Sequence, residues 1–114
     1  MPSEQTVKFI DGLVTLCKQI GLVFKTGNIA LFSDMNKTVK EMHAIQHGSE
    51  EPELMAVEED CAIIYKNFDM IVGVLKSTEK GEIDPAAQLA INKFLHNINE
   101  AALSIAGAYG LIGG

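Results

Sequence analysis

Arginine is missing altogether: all nine basic residues of this 114-residue chain are lysines, against fifteen acidic residues, for a formal charge of -6. Arginine is the usual fork for phosphates, base edges and buried ion pairs. An acidic chain without it, and without a lysine cluster to compensate, repels a nucleic-acid backbone, so nucleic-acid binding is not expected. Tryptophan is also absent, which leaves little to build a stacking platform.

Cysteine is scarce, with only Cys17 and Cys61. Both fall on apolar helical faces, where free Cys is commonly buried, so we expect two free thiols rather than a disulfide. Long hydrophobic runs are lacking too. The longest uncharged stretch, residues 101–114, is interrupted by Gly107, Gly110 and a terminal glycine pair, and is too short for a spanning helix of roughly 20 apolar residues. The opening Met1-Pro2-Ser3-Glu4-Gln5 carries neither the basic nor the apolar region of a signal peptide, so the expected location is cytoplasmic. The Gly113-Gly114 end is read as flexible.

What is present is helical periodicity. Hydrophobic residues make up 47% of the chain and mean hydropathy is +0.16, rich for a single small domain over 1–114. Either the core is large or an apolar face remains for a partner. Helices are expected at about 3–25, 28–47, 51–77 and 84–108. The first starts at Ser3 as N-cap, with Glu4 in the first turn and Thr26-Gly27-Asn28 as its stop. Its apolar stripe reads Val7, Ile10, Val14, Cys17, Ile20 and Phe24, with Leu13 alongside.

Asn28 can cap the second helix, with Ser33-Asp34 as a competing start; its stripe is Ile29, Phe32, Met35, Val39, Met42 and Ile45, and Gly48 ends it. The punctuation Gly48-Ser49-Glu50-Glu51-Pro52-Glu53 opens a long third helix carrying Leu54, Val57, Cys61, Ile64, Phe68, Ile71 and Leu75. Lys80-Gly81-Glu82-Ile83 is a short connection. Asp84-Pro85 then starts the fourth, with Ile91, Phe94, Ile98, Ala101, Ala102, Ile105 and Tyr109 inward. Short connections between long neighbours make this an all-α chain and favour an antiparallel up-down-up-down four-helix bundle.

Chemistry-bearing motifs are weak. His43 and His47 have a spacing that suits one metal, yet no matching pair of further ligands is evident, and none of the ten glutamates has a histidine three residues on. Two solvent-facing histidines are the plainer reading. His96 stands alone. No Ser or Cys sits beside a His in a recognisable nucleophile motif, so no enzyme and no cofactor are expected. The acidic run at 50–60 lacks the alternating spacing and central glycine of a calcium loop.

The glycines are the one anomaly. Gly12, Gly21, Gly73 and Gly107 fall within helices, where each costs ~1 kcal/mol relative to alanine. They point to close helix packing, a docking face or a pocket; Ser104, Ala106, Gly107, Ala108 and Gly110 form a second small-residue surface. The expected function is a non-enzymatic protein-interaction module that binds a protein partner or itself as a homo-oligomer. The alternative is a small carrier holding a lipid-like or other apolar molecule between its helices. The candidate interaction or pocket residues are Gly21, Phe24, Phe68, Gly73, Phe94, Ser104 and Gly107.

Overall fold

The computed structural model describes residues 3–77 and 84–111. These form α1 (Glu4–Thr26), α2 (Leu31–Gln46), α3 (Pro52–Met55), α4 (Glu58–Ser77) and α5 (Pro85–Ala108), with no strand among the described residues. The protein is all-helical. The expected connection at 80–83 and the flexible Gly113-Gly114 end lie outside the described residues.

The helix ends follow local chemistry. Ser3 is extended, and its hydroxyl accepts from the Thr6 N–H. Gly27 closes α1 in the left-handed region at φ 66°, donating to the Val23 carbonyl. The Asp84 carboxylate accepts from the Ala87 N–H at 2.7 Å, with Pro85 in the first turn. At the end of α5, Gly110 (φ 70°) donates to the Gly107 carbonyl and Leu111 to that of Ala106, a Schellman closure.

Two boundaries differ from the sequence expectation. The second helix begins at Leu31, not at Asn28 or Ser33, and its N-cap Ala30 offers no side-chain bond. Asn28 is instead spent one step earlier: its Oδ1 accepts from the Ala30 N–H, closing a turn that leads the chain into α2.

The expected third helix is two helices. The chain turns at Ala56 and Val57 and restarts at Glu58, so Glu58, Glu59 and Asp60 occupy a first turn, where the helix dipole favours carboxylates. Within one continuous rod the same three charges would crowd an interior turn. The break leaves the Glu53 carbonyl to accept from the Tyr109 hydroxyl at 2.9 Å, which ties the end of α5 to α3.

The core is one cluster drawn from all five helices. Phe9, Leu13, Leu16 and Ile20 of α1 meet Phe32, Met35 and Met42 of α2, Leu54 of α3, Ile64, Phe68 and Ile71 of α4, and Ile91, Leu95, Ile98 and Ile105 of α5. The most extensive helix contacts are α4 with α5 and α1 with α2; α2 with α4 and α1 with α5 touch less. Phe9 and Tyr109 meet edge to face with centroids 6.4 Å apart, placing the start of α1 beside the end of α5.

Candidate interaction surface

The buried stripe of α1 is one residue out of phase with the expected one. Thr6, Phe9, Leu13, Leu16, Ile20 and Val23 face the core. One residue is a rotation of about 100° about the helix axis. Val7, Ile10, Val14, Cys17, Gly21 and Phe24 therefore form a second stripe along the flank of the helix. Of these, Val7 is 44% exposed, Val14 40% and Phe24 49%, while Ile10 and Cys17 are half-buried.

Of the residues expected to line the core, Ile20 and Leu13 do so; Val7, Val14 and Phe24 do not. The physical reason is volume. Phe9, Leu13, Leu16 and Ile20 fill an interior far better than a row containing Gly21, Cys17 and two valines.

The outer stripe steps by three and four residues in strict alternation, the heptad seam of a helix that pairs with another helix. Exposed Glu4, Asp11, Lys18 and Lys25 run along one side of it, and the protein's own core lies on the other. Cys17 and Cys61 are both free thiols. Burial pushes Cys17 upward, and pushes fully buried Cys61 up to about 11 against a weaker opposing bond from Tyr65. Cys61 is thereby held as an inert neutral thiol.

The other candidate residues are scattered. Phe68 is buried in the core and Phe94 packs half-buried against it. Gly21, Gly73 and Gly107 are exposed, with no atom within 4 Å of where a Cβ would stand. Gly12 alone among the helical glycines is in close contact: its Cβ would lie 2.8 Å from Met42 Cγ. Exposed Ser104 donates to Asp60 Oδ2 at 2.9 Å, bridging α5 to α4, and Asn97 donates to Asn67 Oδ1 at 3.1 Å on the same seam.

Three of the surface clefts among the described residues bear on the candidate sites. One of about 490 Å³ lies between α1 and α2 beside Gly12, Thr15, Met42 and Ile45. A second, of about 580 Å³, is lined by Ile29, Ala30, Phe32, Val72 and Leu75 at the α1–α2 turn and the end of α4. The third, about 340 Å³, is the polar seam of α4 and α5 with Asp60, Asn67, Asn97 and Ser104. None of the three is lined by Gly21, Phe24, Phe68, Gly73 or Phe94.

His43 and His47 are exposed and stack face to face, rings 13° from parallel and 4.7 Å apart, with Tyr65 edge-on to His43. Stacked imidazoles present faces to one another rather than nitrogens converging on one point. Among the described residues no group of three or more His, Cys, Asp and Glu could hold a metal ion. Within the same residues no helix is long and apolar enough to cross a membrane. Neither a family model, nor a curated protein, nor a solved structure matches this chain.

Proposed function

We propose that the protein is a non-enzymatic interaction module: a cytoplasmic, antiparallel up-down-up-down four-helix bundle that docks protein helices on the outer stripe of α1. The observation that carries this reading is the outer row Val7, Ile10, Val14, Cys17, Gly21 and Phe24, heptad-spaced over five turns, with Val7, Val14, Gly21 and Phe24 exposed and Ile10 and Cys17 half-buried between them. Scattered single apolar residues on a surface need no explanation, but a continuous row at the spacing of a helix seam does. Gly21, with open space around it, gives a partner helix room for close approach midway between Cys17 and Phe24. The acidic, arginine-free composition supports a protein partner over a nucleic acid.

The test is affinity capture from cells producing the full chain, comparing wild type with Val14→Asp. Val14 is exposed, so helicity by circular dichroism is expected to persist while a protein captured by the wild type is lost. Equal capture by both forms refutes the α1 surface.

A second reading is favoured by the cleft beside Ile29, Ala30, Phe32, Val72 and Leu75, whose apolar walls and volume of about 580 Å³ suit a small apolar ligand. It predicts that native mass spectrometry of the purified protein finds a monomer carrying a few-hundred-dalton adduct (~300–600, the size that fills such a pocket), retained by Val14→Asp. A bare protein speaks against the carrier.

A further inference from the structure

We infer that the occupant of the α1 stripe is a second copy of this chain, its α1 running in the opposite direction about a two-fold axis. The inference rests on the α1 surface proposed above, and the charges beside the stripe carry it. Taking Val7, Val14 and Gly21 as one core position of the heptad and Ile10, Cys17 and Phe24 as the other, the solvent-side flank is Glu4, Asp11, Lys18 and Lys25, all exposed. The flank is acidic in its first half and basic in its second. The opposite flank, Thr6, Leu13 and Ile20, is turned into the protein's own core.

When two such helices pair antiparallel, like flanks meet. Asp11 of one copy faces Lys18 of the other, Glu4 faces Lys25, and both pairs are repeated by symmetry. In the same register Val7 stacks on Phe24, Ile10 on Gly21 and Val14 on Cys17, so the largest side chain opposes a valine and the glycine opposes an isoleucine. A parallel pair would set each charged flank against the uncharged, core-facing one and leave the pattern without use.

The helix dipole accounts for Glu4 in the first turn and Lys25 in the last. Its influence fades within a turn of each end, so it does not account for Asp11 and Lys18, which lie deeper. A contact confined to one helix from each copy falls below the roughly 800 Å² per partner of a stable interface. The pair is therefore reversible and weakened by salt.

The experiment is sedimentation velocity of the full chain over a concentration series at low salt. Wild type is expected to dimerise. Asp11→Lys and Lys18→Glu, both exposed changes read alongside circular dichroism, are each expected to weaken the dimer by roughly tenfold or more, and their equimolar mixture to restore it as a heterodimer. The inference is overturned by a wild type that stays monomeric, or by a dimer indifferent to both substitutions or not restored by mixing. The two levels separate with Val14→Asp. A monomeric wild type whose capture of a different protein is lost in Val14→Asp removes the second copy but keeps the α1 surface. A dimer that also survives Val14→Asp removes both.

Discussion

Alanine is expected to stabilise the protein at Gly73 and to leave it no more stable, or less stable, at Gly12. Both glycines lie inside helices, so each replacement gains helix propensity worth up to ~1 kcal/mol. At Gly73, exposed on α4, an added Cβ meets nothing within 4 Å, and the gain of ~0.5–1 kcal/mol is expected in full. At Gly12 the added Cβ would stand 2.8 Å from Met42 Cγ. Met42 is only 1% exposed and its Cγ is the middle of the side chain, not a free end, so it cannot swing into solvent. Overpacking of this kind costs ~1–3 kcal/mol, which at least cancels the propensity gain and leaves Gly12→Ala unchanged to ~2 kcal/mol less stable.

Because the propensity gain is common to both variants, the difference between them, ~1–3 kcal/mol, isolates the α1–α2 contact. Urea unfolding followed by far-ultraviolet circular dichroism, with unchanged m-values, measures it directly. If Gly12→Ala proves as stabilising as Gly73→Ala, the contact between Gly12 and Met42 is loose and the account of α1–α2 packing fails.

Two further outcomes follow from buried hydroxyl and thiol groups. Desolvation raises Cys61 to about 11 and Tyr109 to about 12, and raises Tyr65 further, so above pH 9 the folded state holds protons that the unfolded chain releases. Stability is therefore full below about pH 9 and declines as pH rises through 11, with Cys61 contributing roughly 2–3 kcal/mol of the loss. Cys61→Ala is expected to be less stable at neutral pH but to show a shallower decline, and an equal slope would contradict the assignment. Tyr109→Phe keeps the ring against Phe9 but leaves the Glu53 carbonyl without its donor, for an expected loss of ~1 kcal/mol in the same urea assay. A neutral result would mean that water replaces the hydroxyl at no cost.

Although α5 also buries Leu95 and Ala106, which its expected stripe left out, and holds Phe94 only half-buried, the helical class, the Ser3 and Asp84 caps, the Gly27 stop and the inward faces of α2 and α4 are local properties. They rest on spacings of three and four residues and on single side chains reaching their own backbone, and they are legible one helix at a time. Phe32, Met35, Val39 and Met42, like Ile64, Phe68 and Ile71, lie where periodicity alone puts them.

α1 is different because it carries two apolar stripes one residue apart. Periodicity is satisfied equally by either, and only the competition for interior volume turns Phe9 and Leu16 inward and leaves Val14 and Phe24 outside. Spacing does not resolve that competition; the bulk of the two rows, set against an interior shared with every other helix, does, and the candidate surface is a consequence of it. The turn at Ala56 and Val57 likewise depends on a partner remote in sequence, Tyr109, whose hydroxyl takes up the carbonyl that the break leaves free. Glycine has no periodic signature at all: Gly12 and Gly21 look alike in the chain, and only the position of Met42 separates the close-packed one from the open one.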